Sequence, residues 1–169
     1  MKSDGSNSGN SRRKFLKGSA LAAAGFYIVP RNVLGGPGFI APSDKLRVAS
    51  IGVGGMGGSD VRGITRTEKV DFIALCDVDD SRAKGSRELH PKANYYKDYR
   101  EMLDKEGKNI DAVSVSTPDH THAVAAMAAM KMGKHVYVQK PLAHDIYEAR
   151  MLTQAAEKYK VVTQMGNQG

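Results

Sequence analysis

The stretch LRVASIGVGGMGG, residues 46–58, joins an apolar run to a cluster of glycines. Residues 46–51 are mostly apolar or β-branched, which favours a buried strand. Gly52, Gly54 and Gly57 come next with the spacing G-x-G-x-x-G. Between a strand and a helix, this spacing is typical of a turn that binds the diphosphate of a dinucleotide. Glycine-rich turns are common, so the prediction depends on the residues C-terminal to the turn.

Each glycine of the turn has its own physical reason. Gly52 permits the tight turn, Gly54 lets a pyrophosphate approach the backbone, and Gly57 lets the next helix pack close to the strand. A helix over about residues 56–65 then directs its first N–H groups at the phosphates. The predicted cofactor-binding residues of this turn are Gly52, Gly54, Gly55, Met56 and Gly57.

A second predicted strand, KVDFIALCD, ends at Asp77, twenty positions after Gly57. This is the spacing expected of a carboxylate that binds the adenosine ribose hydroxyls. A 2′-phosphate is repelled by Asp77 and by the nearby Asp79 and Asp80, so NAD is favoured over NADP, and Arg82 acts against that preference. The alternative is that Asp77 only caps the end of the strand.

The rest of the chain alternates between helical and strand patterns. Predicted helices cover residues 81–90, 98–106, 120–133 and 145–160, and predicted strands cover 93–96, 110–117, 135–140 and 161–166. This alternation predicts an α/β fold with a doubly wound parallel sheet, the Rossmann arrangement, and helices on both faces. Ligands of such sheets bind at the carboxyl ends of the strands.

Two further segments fall at carboxyl ends of predicted strands. STPDHTH, residues 116–122, follows one strand, and QKP, residues 139–141, follows the next. A lysine ammonium at this edge, Lys140, is suited to hold a sugar oxygen and to stabilise charge that develops there. The alternative is a solvent-facing lysine. No third ligand accompanies the two histidines of residues 116–122 at a useful spacing, so we predict no metal site.

Taken in order, the glycine turn, Asp77, STPDHTH and QKP resemble the Gfo/Idh/MocA oxidoreductases over about residues 46–169. Members of that family usually carry Asn after the Thr-Pro pair and Glu before the Lys-Pro pair. This chain has Asp119 and Gln139 at those positions. Gln139 can still form hydrogen bonds but lacks the negative charge of Glu, so how residue 139 affects the chemistry of the neighbouring Lys140 stays open.

The resemblance implies roles for particular residues. Thr117, Pro118 and His122 would line the cofactor near its ribose and nicotinamide. Lys140 would lie beside the nicotinamide and orient the substrate hydroxyl, with Pro141 next to it. The resemblance also implies a second α/β domain that holds the substrate pocket and acid–base residues. We therefore interpret the chain as the N-terminal portion of a longer protein that forms a homo-oligomer when complete.

Composition limits the other classes of function. Of the net charge of +7, residues 1–45 contribute +5, from seven Lys/Arg and two Asp/Glu, so the remainder contributes only +2. The predicted domain thus shows no basic face suited to nucleic acid. Cys76 is the only cysteine, which excludes an intrachain disulfide and predicts a buried small side chain. The sequence contains no run of about 18 apolar residues, so it does not predict a membrane-spanning helix.

The basic residues of the leader form a specific pattern. SRRKFLK, residues 11–17, precedes a short apolar stretch and resembles a bacterial twin-arginine signal at every motif position. We predict a signal peptide at residues 1–35, a linker at 36–45 and the NAD(P)-binding domain at 46–169. The resemblance implies export in the folded state by the twin-arginine machinery to the periplasm. The alternative is an amphipathic first helix with a basic end.

Export of a folded protein also predicts tightly bound NAD(H), because the cofactor is loaded in the cytoplasm. Three functions stay open. The first is an NAD-dependent oxidoreductase that moves hydride to or from a CH–OH group of a sugar or cyclitol. The second is an NAD-dependent glycoside hydrolase of the same family, whose members often carry twin-arginine leaders. The third is a nucleotide-binding module without activity, or a methyltransferase with a similar glycine turn. A methyltransferase gives no reason for the Lys140-Pro141 loop.

Overall fold

The computed structural model describes Gly36 and residues 40–167. The chain divides into two units, Met1–Pro42 and Ser43–Gly169. The predicted signal peptide lies outside the described residues, so it stays a prediction. Among the helices described, none has the length and apolar character needed to cross a bilayer.

Six parallel strands form one sheet in the second unit. They are β1 Leu46–Ile51, β2 Val70–Cys76, β3 Asn94–Tyr96, β4 Ala112–Val115, β5 His135–Val138 and β6 Thr163–Met165. Their spatial order is β3-β2-β1-β4-β5-β6, so the direction of winding reverses between β1 and β4. This is the doubly wound order predicted from the sequence, and its ligand crevice lies at that reversal.

Helices cover both faces of the sheet. They are α1 Gly55–Thr65, α2 Asp80–Leu89, α3 Tyr99–Glu106, α4 His122–Lys131 and α5 Ile146–Tyr159. One buried cluster, which includes Val48, Val61 and Leu75, lies under α1 and α2. A larger cluster on the other face takes side chains from α3, α4 and α5. Because β1 and β4 are buried on both faces, their sequences are nearly continuous apolar runs.

Most helices begin at a capping carboxylate. Asp79, Asp98 and Asp145 each accept backbone N–H groups of the first turn of α2, α3 and α5. The helix predicted from residue 98 onward thus has Asp98 as its N-cap. By contrast, α1 follows Gly54, which has no side chain to cap it. The helix after the glycine turn therefore keeps its first N–H groups without a side-chain acceptor at the N-cap.

Candidate nucleotide-binding cleft

A cleft of about 610 Å³ lies at the carboxyl ends of β1, β2 and β4. This volume is within the range of small-molecule and cofactor sites. The glycine turn, the end of β2 and the segment after β4 all contribute to its walls. Among the residues that line it are Gly52, Gly54, Asp77, Asp79, Arg82, Thr117 and Pro118. Residues distant in sequence thus converge on the predicted edge of the sheet.

Backbone proximity explains the glycines of the turn. Gly52 has a φ of +76°, and a Cβ there would lie 2.7 Å from the Ser116 carbonyl oxygen. A Cβ on Gly57 would overlap the carbonyl oxygen of Gly52. At Gly54, a Cβ would lie 2.6 Å from the Cβ of Arg82 in α2, a contact that the sequence pattern did not indicate. Side chains at these positions would push apart the elements that form the cleft.

The first turn of α1 is suited to an anion. Gly55 and Met56 are exposed at its N-terminus, and Gly54 provides no side-chain cap. Gly55 has a φ of +52°, and a Cβ there would have no neighbour within 4 Å, so only its backbone conformation favours glycine. Uncapped N–H groups and the positive end of the helix dipole favour a phosphate group. The residues present therefore fit a dinucleotide diphosphate.

Asp77 organises the turn as well as facing the cleft. Its Oδ2 accepts hydrogen bonds from the backbone N–H groups of Val53 at 2.9 Å and Gly54 at 3.0 Å. Its Oδ1 accepts from the N–H of Asp79 at 3.0 Å. The carboxylate is half-buried, and its two oxygens offer about four acceptor sites, of which three are used. One acceptor site thus stays available to a ribose hydroxyl.

The other two acidic residues after β2 have partners of their own. Hydrogen bonds from Ser81 and from the Arg82 N–H hold the pKa of the Asp79 carboxyl below its usual value, as it caps α2. The carboxylate of Asp80 lies 2.7 Å from the Lys97 ammonium, and this hydrogen bond lowers the pKa of Asp80. Asp80 does not line the cleft. Asp77 is therefore the carboxylate best placed to disfavour a 2′-phosphate.

The segment after β4 is folded onto itself. Thr117 and Pro118 line the cleft, and the hydroxyl of Thr117 accepts a hydrogen bond from the Thr121 hydroxyl at 2.8 Å. Asp119 lies exposed in a 3-10 turn, Asp119–Thr121. The residue at the N-cap position of α4 is Thr121, so Asp119 does not cap this helix.

The side chain of His122 lies between the segments that follow β4 and β5. It is fully buried, and the cofactor contact that the resemblance implies for it stays a prediction. Nδ1 lies 2.6 Å from the carbonyl oxygen of Pro141, and Nε2 lies 2.7 Å from that of Thr117. Both partners are carbonyl oxygens, which only accept, so a ring nitrogen that carries a proton donates to its carbonyl. His122 thus ties the segment after β4 to the segment after β5.

The Lys140–Pro141 peptide bond is cis and begins two residues after the end of β5 at Val138. Lys140 is exposed, and neither residue is among those that line the cleft. The structure therefore brings the glycine turn, Asp77, Thr117 and Pro118 together, while Lys140 and Pro141 stand beside this group on the same edge of the sheet. The contacts predicted for each of these residues with a cofactor stay predictions.

Two further side chains bear on the site. Asp60 of α1, which the sequence pattern did not single out, accepts hydrogen bonds from Ser116 after β4 and Gln139 after β5. Cys76 also lines the cleft, and burial raises the pKa of its thiol to about 12. Such a thiol stays protonated at neutral pH and is a poor nucleophile. Across the described part of the chain, no cluster of three metal-ligating side chains occurs.

Comparison with known proteins places this geometry in a family. A relative from Shewanella pealeana, named a glycosyl hydrolase family 109 protein, is 32% identical over 87% of this chain and 37% of its own length. A myo-inositol 2-dehydrogenase from Lactobacillus plantarum is 27% identical, with a TM-score of 0.66 over 72% of this chain and 36% of that one. GenD2 from gentamicin A biosynthesis, solved in complex with NAD, is 28% identical, with a TM-score of 0.68 over 83% and 37%.

The chain spans about 37% of the length of the curated relative from Shewanella pealeana. The family model described as "Oxidoreductase family, NAD-binding Rossmann fold" matches residues 46–167, which include all six strands and the cleft. The cofactor of this fold is NAD, as the glycine turn and Asp77 predict. The chain therefore belongs to the Gfo/Idh/MocA oxidoreductase family and contains its NAD-binding Rossmann domain.

Proposed function

We propose that this chain is the NAD(H)-binding part of an enzyme that transfers hydride to or from a hydroxyl-bearing carbon of a sugar or cyclitol. The observation that carries the proposal is the link between Asp77 and the glycine turn inside a cleft of about 610 Å³. One carboxylate holds the turn in place and faces the space where a ribose would lie. When bound, NAD supplies the hydride acceptor, or NADH the donor.

The chain's own residues have separable tasks. The N-terminus of α1, at Gly55 and Met56, binds the diphosphate through backbone N–H groups. Asp77 accepts a hydrogen bond from a ribose hydroxyl. Thr117 and Pro118 form the wall of the cleft on the side of β4. These contacts orient the dinucleotide and leave the catalytic chemistry to the edge of the site near β5.

Lys140 is the residue proposed for that chemistry. It lies exposed at the carboxyl end of β5, two strands from β1 in the sheet. Its ammonium holds the substrate oxygen and stabilises the negative charge that this oxygen carries once its proton is removed and before hydride leaves the carbon, or as hydride is added to a carbonyl in the reverse direction. The remaining acid–base residues are proposed to come from a second domain of the whole protein.

Titration of NADH into the purified chain tests the binding step. We expect saturable binding, detected by NADH fluorescence or calorimetry, and weaker binding of NADPH. Lack of saturable binding to folded protein would contradict the proposal. For the catalytic step, the full-length gene product is assayed with a panel of sugars and cyclitols for NADH formation, with Lys140→Met as the control variant.

A second candidate is an NAD-dependent glycoside hydrolase. It is favoured by the Shewanella pealeana relative and by one from Solibacter usitatus that is 33% identical over 87% of this chain, both named glycosyl hydrolase family 109 proteins. Such an enzyme oxidises its substrate only transiently, which eases elimination of the glycosidic oxygen. Aryl glycosides with and without NAD separate the two candidates. Release of the aryl group without net NADH formation indicates the hydrolase.

We also propose export in the folded state with NAD(H) bound. The support is the SRRKFLK motif at residues 11–17, together with the need to load the cofactor in the cytoplasm. Native mass spectrometry of the purified protein tests retention of the dinucleotide. Fractionation of cells that carry the native leader, against a leader in which Arg12 and Arg13 are replaced by Lys, tests the export route. Equal periplasmic amounts of both would contradict it.

A further inference from the structure

The carboxylate of Asp60 joins three parts of the site. Asp60 lies in α1 and is half-buried. Its Oδ2 accepts a hydrogen bond from the Ser116 hydroxyl at 2.7 Å and another from Nε2 of Gln139 at 3.0 Å. Ser116 directly follows β4, and Gln139 directly follows β5. One oxygen thus connects the helix of the glycine turn to the ends of two strands.

Gln139 relays this contact to the neighbouring residue. Its side chain is buried, with 5% exposed, and its Oε1 accepts the backbone N–H of Lys140 at 2.7 Å. A carboxylate is only an acceptor, so Asp60 requires the NH₂ end of the amide and leaves the carbonyl end for Lys140. The amide reversed would face Asp60 with an oxygen and Lys140 with an NH₂ group, and both contacts would be lost.

The same geometry favours Gln over Glu at position 139. A Glu there would bring a second carboxylate within hydrogen-bond distance of Asp60 in a buried setting. Two like charges so close disfavour each other strongly. The neutral amide keeps the reach and the acceptor for Lys140, and it adds the donor that Asp60 needs.

We propose that Asp60 is a positioning residue for Lys140 that acts through Gln139. We also propose that Asp60 and Gln139 form a pair in which one carboxylate requires one neutral amide partner. The link to catalysis rests on the role proposed above for Lys140. The link between the three residues does not, because it is a property of the chain alone. A merely structural Asp60, which only ties α1 to the sheet, would affect distant parts of the fold as much as Lys140.

Hydrogen exchange of backbone amides, measured by NMR on the whole chain without cofactor, separates these roles. In Asp60→Ala we expect the Lys140 amide to exchange about tenfold faster or more, because its acceptor is no longer held. The amide of Leu75, in the core of β2, serves as the reference and changes by less than about threefold. Asp60→Asn is the conservative control, since its carbonyl oxygen still accepts from Gln139, and it stays near the wild-type rate at Lys140.

The pair is tested with Gln139→Glu. Alone, it speeds exchange at Lys140 by about tenfold, because two carboxylates repel. When Gln139→Glu is combined with Asp60→Asn, the exchange rate of the Lys140 amide returns to within about threefold of wild type, because the amide introduced at position 60 donates to the carboxylate introduced at position 139. The proposal is overturned if Asp60→Ala changes the exchange rates of the Lys140 and Leu75 amides equally, or changes neither. It is also overturned if Gln139→Glu has the same effect on the Lys140 amide whether or not it is combined with Asp60→Asn. These rates are independent of NADH binding, so a failure of the proposed function is seen separately.

Discussion

Replacing Asp77 by Ala removes the carboxylate that accepts hydrogen bonds from the glycine turn and that is proposed to bind a ribose hydroxyl. Two turn N–H groups, of Val53 and Gly54, lose their acceptor. A hydrogen bond to a charged group contributes about 1.5–3 kcal/mol, and half exposure places these at the lower end, so the turn loses about 3 kcal/mol. A lost ribose hydrogen bond adds about 1.5 kcal/mol to the cost of binding.

The loss divides between stability and affinity. The ribose bond alone weakens NADH binding by about tenfold, and the cost of ordering a loosened turn extends this to about 100-fold. Urea denaturation of the apo chain measures the stability part, and NADH titration measures the affinity part. We also expect the preference for NADH over NADPH to shrink, because the charge that repels a 2′-phosphate is gone.

Two variants define the interpretation. Asp77→Asn keeps an oxygen that accepts from the turn but loses the charge, so its NADH affinity lies between wild type and Asp77→Ala. Asp71→Ala removes an exposed carboxylate from the opposite end of the same strand and leaves affinity within about twofold of wild type. The reasoning is refuted if folded Asp77→Ala binds NADH as tightly as wild type, or if Asp71→Ala weakens binding equally.

Two other perturbations test the fold around the cleft. Gly52→Ala places a side chain on a left-handed backbone and against the Ser116 carbonyl, so we expect it to lower the free energy of unfolding by about 1–3 kcal/mol, whereas Gly63→Ala, in open space on α1, raises it by about 0.5–1 kcal/mol. Urea denaturation measures both changes, and changes of the same sign would contradict the prediction. Burial lowers the pKa of His90 below its ordinary 6.5, so the neutral ring contributes to the stability of the fold, and this contribution is lost as pH falls from about 6.5 through the lower pKa of the folded state. We expect His90→Gln to flatten this part of the curve of unfolding free energy against pH, and an unchanged slope would contradict the prediction.

The fold was open to prediction from local patterns. The helix expected over residues 56–65 is observed at Gly55–Thr65, and the strand expected to end at Asp77 ends one residue earlier, at Cys76. Short apolar runs, glycines and capping aspartates determine these elements within a few neighbouring residues. The strand expected over 110–117 is shorter, Ala112–Val115. The N–H of Ser116 still donates to the Ile51 carbonyl, and its hydroxyl donates to Asp60.

The site was predicted only in part. The spacing predicted that Asp77 and the glycine turn lie at the same edge of the sheet, whereas the hydrogen bonds between them are known only from the structure. The burial of His122 between two carbonyls and the pairing of Asp80 with Lys97 did not follow from spacing. Each depends on the angle at which a segment leaves its strand, which local sequence does not determine.

By itself, the sequence determined that this chain folds as a doubly wound sheet with an NAD-binding turn, because hydrophobic period, glycine spacing and capping act over a few residues. Only the tertiary structure decided how the edge of that sheet is held together. Asp60 meets Ser116 across 56 positions of sequence and Gln139 across 79, and such contacts exist only once the strands have been brought side by side.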